Sequence, residues 1–340
     1  MGLRVSAETK PTETVSRPSA TMRAMVYDGY GDASVLRVGT VPLPKRLPGR
    51  VLIEVWASGV NPIDYRLRSG QMKRLLPGGF PRVPGYDVAG IVVDCAADSP
   101  LRVGDRVMAF LPSLRGGACA DYAACVVDSV AKLPDSLPTD TAAAMPLAGT
   151  TALQSLRDHG KMTPGDHVLI NGASGGVGMF AVQIAKAHGC HVDAVASGDN
   201  REFCLSLGAD RFHDYTVTDF TDSKESWDIV FDVAGKARYR DARDVMNKGG
   251  RYVSTEPNLK GMLMTALTWP LSKSGKVMLA KPNADDLREL IGLYESGKLK
   301  VTIDRRYPMH EIAQAHRRVE QGVDRGKVVL LSESYQPSGQ

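Results

Sequence analysis

The sequence predicts an α/β protein of two domains, a β-rich one followed by a doubly wound parallel sheet. Three observations carry this. The chain has 340 residues, enough for about two domains at roughly 150 residues each. From Arg23 to about residue 135, short strand-like runs are broken by Gly and Pro, and helical periodicity is weak. After Leu147 short apolar runs alternate with amphipathic segments, the pattern of βαβ units in a sheet covered on both faces.

The elements follow in order. Residues 1–22 are polar and rich in Pro, Ser and Thr without an apolar run, and read as a disordered leader, not a secretory signal. Strands are expected at 51–60 (VLIEVWASGV), 88–95 (VAGIVVDC) and 105–110 (DRVMAF), separated by NP, PGGFP, VPG and LPS turns. The second domain opens with a strand at 168–172 and a helix at 177–189 that ends in Gly189. A strand at 191–197, a helix at 201–210, a strand at 227–235, a helix at 240–250 and a strand at 251–257 continue the alternation. A helix at 286–299 and a strand at 327–332 complete the chain. The expected boundaries are 1–22, 23–148, 149–280 and 281–340.

Composition narrows the function. Hydrophobic residues make up 43% and charged residues 24%, with a net charge of +4 spread along the chain. Neither nucleic acid nor an anionic membrane is expected as the main partner. No apolar stretch approaches the roughly 20 residues that cross a bilayer. The five cysteines, at 95, 119, 125, 190 and 204, are odd in number and form no C-x-x-C pair. They point to reduced thiols and a cytoplasmic location, not to a disulfide framework or zinc ribbon. His188-Gly-Cys190-His191 looks like a ligand cluster but straddles a helix end and a strand start.

The most informative stretch is Leu169–Gly178, LINGASGGVG. It sits after a strand and opens a helix, where a dinucleotide fingerprint belongs. A pyrophosphate needs backbone N–H groups unobstructed by side chains at a helix N-terminus. Ser174, Gly175, Gly176, Val177 and Gly178 are the candidates to supply them. Against G-x-G-x-x-G the first glycine is Ala173, so the frame becomes Gly172-x-x-Gly175-x-x-Gly178. About 20 residues on, at the end of the next strand, the ribose 2′ position is met. Ser197 with Arg201 would hold a 2′-phosphate and favour NADPH, whereas Asp199 would repel it and favour NADH. Tyr215, in FHDYT, either covers the adenosine or is a half-buried strand tyrosine.

Several motifs in one order then carry a family resemblance. They are GVNPIDYRLRSG (59–70), VPGYDVAG (83–90), VGDRV (103–107), PLAGTTALQSL (146–156), NGASGGVG (171–178), LGAD (207–210), FDVAG (231–235) and RGKVVL (325–330). The chain resembles the medium-chain dehydrogenase/reductase superfamily, in its zinc-free quinone oxidoreductase (zeta-crystallin-like) branch, over nearly all residues after 22. The resemblance implies a GroES-like catalytic domain, a Rossmann domain and a C-terminal segment that returns to the first domain. Zinc members carry a Cys and then a Gly-His-Glu at the catalytic metal; here Asn61 replaces the Cys, and Tyr86 and Asp87 replace the His and Glu. The structural-zinc loop with four cysteines is also missing. No metal is expected.

Without a metal the acceptor must take hydride readily, as quinones and α,β-unsaturated carbonyls do. The protein then aligns the reacting carbons and stabilises an enolate-like oxygen. By resemblance Asn61 faces the substrate carbonyl or the nicotinamide, and Arg66 stands where relatives face the acceptor. Tyr65 is a candidate proton donor. Adjacent residues on an extended loop point opposite ways, so only one of Tyr65 and Arg66 is expected in the cleft, unless both lie on the domain surface. Thr151, in the family's G-x-T-A position, would contact the nicotinamide carboxamide or else be a buried helix-cap threonine. The Met-rich stretch 261–280, with Trp269-Pro270, is a lid over the acceptor pocket, half of a homodimer interface, or core. The sequence thus points to an NAD(P)H-dependent quinone or enone reductase acting on a small molecule, with NADPH ahead of NADH. The alternatives are a non-catalytic dinucleotide-binding protein and, with ligands lacking, a zinc-type alcohol dehydrogenase.

Overall fold

The computed structural model describes residues 20–73, 79–112, 115–256, 259–268 and 271–335. The expected leader lies outside them except for its last residues, and the first strand already begins at Thr21.

The first half builds β1 (Thr21–Val26), β2 (Arg37–Pro42), β3 (Arg50–Val60), helix α1 (Pro62–Arg68), β4 (Asp87–Asp94), β5 (Arg106–Phe110), β6 (Tyr122–Val126) and β7 (Val130–Lys132). Helices α2 (Thr139–Ala143) and α3 (Pro146–Gln154) lead into the second half. There β8 (His167–Asn171), α4 (Gly178–Ala187), β9 (His191–Ala196), α5 (Arg201–Ser206), β10 (Arg211–Asp214) and β11 (Trp227–Asp232) alternate. The short α6 (Tyr239–Ala242), β12 (Met246–Ser254), α7 (Leu259–Thr268) and β13 (Ser274–Val277) follow. The chain closes with α8 (Ala284–Glu295), β14 (Ile303–Pro308), α9 (Ile312–Glu320) and β15 (Lys327–Leu331).

Three sheets result. β1 and β2 form an antiparallel pair, and β14-β15-β3-β4-β5-β7 form the main sheet of the first domain, with β6 also on β3. The C-terminal strand therefore returns to the first domain, pairing Val328 with Val60 and Leu331 with Ala57. The third sheet runs β10-β9-β8-β11-β12-β13, all parallel. Relative to its first strand that order is 3-2-1-4-5-6, the doubly wound arrangement. Burial explains the runs: Val168, Leu169 and Ile170 of β8 and Ile229, Val230 and Phe231 of β11 are fully buried. A strand covered on both faces has no reason to alternate. One apolar core extends from Ala57, Ala89 and Met108 through Leu153 and Phe180 to Phe231 and Leu290. The two sheets are joined by packed side chains, not by a linker.

Four expectations are corrected. Residues 61–68 are not extended loop: the Asp64 carboxylate accepts the Asn61 N–H at 2.7 Å, Pro62 occupies the first turn, and α1 forms. The boundary at 148/149 falls inside α3, because Pro146 starts a helix there. The helix expected over 240–250 ends at Ala242, and after one 3-10 turn β12 begins at Met246. Met246 and Val245 are drawn into the core beside Trp227, which outweighs the local helical pattern. The segment 261–280 is largely α7 and the edge strand β13: Met278 lies in the core and Met264 packs against it, but Leu263, Leu267, Leu271 and Leu279 are all more than half exposed, so core packing describes only part of it. Trp269 and Pro270 lie outside the described residues.

Candidate active site

The glycine turn leaves the C-terminal end of β8, beside β11, where the strand order reverses and open α/β sheets bind ligands. Asn171 donates to Asp232 Oδ1 at 2.8 Å across this point. Gly172 has φ +89°, a backbone state that favours glycine, and its N–H bonds Val195. The three following glycines do different work. A Cβ on Gly178 would overlap the Gly172 carbonyl oxygen, so Gly178 permits the close approach of helix and strand. A Cβ on Gly176 would stand 2.9 Å from Lys327 Cδ. One on Gly175 would meet nothing nearer than 3.6 Å. Val177 precedes α4, whose first N–H groups have no intrahelical acceptors. Ser174 is buried and its carbonyl accepts from Gly326. An open backbone cradle at a helix start fits a dinucleotide pyrophosphate.

At the end of β9 the Ser197 hydroxyl accepts from Asn200 Nδ2 at 3.0 Å. Arg201 lies over the Phe212 ring, 5.7 Å from its centroid. Tyr215 follows β10 and is 62% exposed, so it is not a half-buried strand residue. The sequence reading passed over Arg325. Its Nε donates to Asn200 Oδ1 at 2.7 Å, and its Nη2 donates to the Asp199 carbonyl oxygen. It brings a second cation to the segment that holds Ser197 and Arg201, bonding Asn200 from 125 positions away in the chain, which no local motif could signal.

The first domain faces this with α1. Asn61, at its start, is 1% exposed, and both ends of its amide are occupied. Nδ2 donates to Asp87 Oδ2 at 2.9 Å, and Oδ1 accepts from Lys327 Nζ. Both ends of the amide thus brace the protein, and only the second Nδ2 hydrogen is left for a substrate. Asp87 Oδ1 accepts from the Leu147 N–H at 2.7 Å. Burial raises the Asp87 carboxyl pKa, opposed by Lys327 and Asn61. Burial likewise pushes Asp64 up to about 7, although it accepts from the Asn61 and Gly85 N–H groups. Thr151 lies inside α3, not at a cap, and donates to the Leu147 carbonyl at 2.7 Å. Its lone pairs remain as acceptors.

Tyr65 and Arg66 are consecutive on α1 and therefore about 100° apart, not on opposite faces. Tyr65 is half-buried against the first-domain core. Arg66 reaches across and pairs with Glu256, which follows β12, at 3.0 Å. Lys327, Glu256 and Asp64 were missed by the sequence reading. For Lys327 a signal existed, since a lysine opening the apolar run Val328–Leu331 requires compensation if that run is buried.

Metal ligands do not fit here. Among the described residues no three His, Cys, Asp or Glu side chains converge to hold an ion, and Asn61 and Asp87 are tied to an ammonium. His188 bonds the Ile184 carbonyl through Nδ1 at the end of α4.

Comparison with known proteins identifies the family. A family model described as an alcohol dehydrogenase GroES-like domain matches residues 47–135. One described as a zinc-binding dehydrogenase matches 207–330. The chain is 33% identical to quinone-oxidoreductase QR1, chloroplastic, of Triphysaria versicolor, over 91% of its own length and 98% of the relative's. It belongs to the zinc-free quinone oxidoreductase branch of the medium-chain dehydrogenase/reductases. This medium-chain reductase is also 34% identical to the NADPH-dependent alkenal/one oxidoreductase, chloroplastic, of Arabidopsis thaliana, covering 96% of the chain and 83% of the relative. Among solved structures, the quinone oxidoreductase from Coxiella burnetii superposes with a TM-score of 0.82 at 31% identity, covering 92% and 99% of the two chains. The model named for zinc covers the Rossmann half, whereas Asn61, Tyr86 and Asp87 lie in the GroES-like half.

Proposed function

We propose that this chain is a metal-free reductase that transfers hydride from NADPH to a quinone or an α,β-unsaturated carbonyl. The observation that carries the reading is the juxtaposition of an open glycine cradle with α1, whose Arg66 reaches across the cleft to Glu256. The reduced nicotinamide supplies a hydride when bound. The chain's part is to align donor and acceptor and to hold the oxygen that becomes electron-rich. In an enone the hydride adds to the β-carbon, the electron pair moves to the carbonyl oxygen, and the α-carbon takes a proton from water or from Tyr65. In a quinone both oxygens end as hydroxyls. Arg66 is the cation for that oxygen, a charge-assisted donor with two faces to offer.

Ser174–Gly178 would hold the pyrophosphate, with Thr151 accepting from the carboxamide and Tyr215 covering the adenine. Ser197, Arg201 and Arg325 support NADPH over NADH, since two guanidiniums outweigh the one exposed carboxylate of Asp199. All five described cysteines are unpaired, in keeping with a reducing, cytoplasmic setting. The apolar face of α7, with Leu263 and Leu267 one turn apart beside the edge strand β13, supports a homodimer joined there. Leu267→Glu should halve the mass seen in solution by light scattering if it is right.

The deciding experiment follows NADPH and NADH oxidation against quinones, enones and saturated ketones, with and without a chelator. Turnover of enones or quinones that ignores the chelator supports the reading. Firm nucleotide binding without turnover would establish a non-catalytic binder instead. Chelator-sensitive reduction of saturated ketones would establish a zinc enzyme.

A further inference from the structure

Lys327 opens β15, a strand that continues as Val-Val-Leu-Leu, and is only 4% exposed. A buried ammonium persists only where partners replace its water. Here Nζ donates to the Val60 carbonyl at 3.1 Å and to Asn61 Oδ1, and stands 3.8 Å from Asp87 Oδ2. Those partners are not arbitrary. Val60 and Asn61 lead directly into α1, which carries Tyr65 and Arg66. Asp87 in turn accepts from the Leu147 N–H, and the Leu147 carbonyl accepts from Thr151. The aliphatic stem lies against the glycine turn, where a Cβ on Gly176 would be 2.9 Å away. The preceding residue, Gly326, donates to the Ser174 carbonyl at 3.2 Å.

One dipeptide thus touches the glycine turn and the residues that open α1 directly, and reaches the Leu147–Thr151 turn of α3 through Asp87. We infer that Lys327 is a positioning residue that fixes the distance and angle between the nicotinamide and acceptor sites, with an internal ammonium tying together the segments around them. The inference rests on the reductase reading. Stability alone does not explain the residue, because apolar replacements of buried ion pairs are often neutral or stabilising. Geometry does explain it. Asn61 has two interchangeable-looking amide ends, and the pairing of Oδ1 with a cation and Nδ2 with an anion admits one orientation. That orientation ties the residue that precedes α1 to β15 and β4, and hydride transfer is sensitive to displacements of about 1 Å.

The test compares the wild-type chain with Lys327→Met, which keeps the stem and removes the charge. Kinetics with NADPH and an enone, NADPH affinity by fluorescence, and the isotope effect with NADPH deuterated at C4 are measured on each. The inference expects kcat to fall about thirtyfold or more and the isotope effect on kcat to rise, with NADPH affinity within about threefold of wild type. Folded Lys327→Met with kcat within about twofold overturns it, as does a loss of rate matched by an equal loss of NADPH affinity. Where the single variant fails to fold, Lys327→Met/Asp87→Asn removes both buried charges; slow turnover with intact affinity supports the inference, and wild-type kcat overturns it. Wild-type turnover on the same acceptor separates the two levels. Its absence overturns the reductase reading and this inference together, whereas turnover with an unaffected variant overturns the inference alone.

Discussion

Arg66 of the GroES-like domain and Glu256 of the Rossmann domain meet at 3.0 Å across the cleft, each side chain about one-third exposed. The two domains share one core, and this pair links α1 to the residue that follows β12. A pair so exposed contributes roughly 0.5 to 1 kcal/mol to stability, screened by solvent. Its consequence is for binding. Glu256 competes with the acceptor oxygen for the guanidinium. Glu256→Gln should therefore lower KM for an enone about threefold, equivalent to ~0.7 kcal/mol. Arg66→Ala should lower kcat/KM about tenfold or more, a loss of at least ~1.4 kcal/mol of oxyanion stabilisation. Steady-state kinetics on both variants check this, and a higher KM for Glu256→Gln would count against it.

The glycine turn separates folding from binding at neighbouring positions. Gly175→Ala adds a methyl group that meets nothing nearer than 3.6 Å, so the fold should keep its melting temperature. The same methyl stands in the cradle, and NADPH affinity should fall about tenfold or more by loss of close backbone approach. Gly178→Ala, in contrast, would overlap the Gly172 carbonyl and should yield no folded protein. Thermal melts paired with fluorescence titration distinguish the two. An unfolded Gly175→Ala would show that its glycine serves packing.

Cofactor preference tests the ribose end. Arg325→Ala should raise KM for NADPH about tenfold while leaving NADH within about twofold, since only the former carries the extra phosphate. Asp199→Arg should move the ratio further toward NADPH by replacing repulsion with attraction. Equal effects on both nucleotides would mean that Arg325 only braces Asp199 and Asn200.

Acid sensitivity has an identifiable source in His316. It is fully buried beside the Arg68 guanidinium, and burial first and that charge second hold its pKa at about 3, against an ordinary 6.5. The fold binds the imidazole neutral, while the unfolded chain protonates it below about pH 6.5. Its stabilising effect is therefore complete above that pH and drains as pH falls toward 3. Between pH 6.5 and 5 the loss is about 2 kcal/mol. His316→Gln removes the titration, so its melting temperature should gain on wild type as pH falls through this range. Parallel curves would place the acid sensitivity elsewhere.

What was legible in the sequence was whatever local chemistry imposes. Val168–Ile170 and Ile229–Phe231 read as covered strands because nothing polar interrupts them, and Gly172, Gly175, Gly176 and Gly178 read as a cradle because backbone approach demands missing side chains. The β-rich and βαβ order followed from punctuation and period. α9 had a signal that went unused, since Ile312, Ala315, His316 and Val319 recur at helical spacing on its buried face. Other features had no local signal. Met246 belongs to a strand because Trp227 and Tyr252 surround it. Asn61 is a strut because Lys327, 266 positions away, donates to its oxygen while Asp87 accepts from its nitrogen. Arg66 meets Glu256 and Arg325 meets Asn200 by the same long-range logic. Periodicity and turn chemistry are properties of neighbours in the chain, so sequence alone determined the class of fold and the place of the glycine turn. Which cation neutralises which carboxylate depends on segments brought together by burial, and only the tertiary structure decided that.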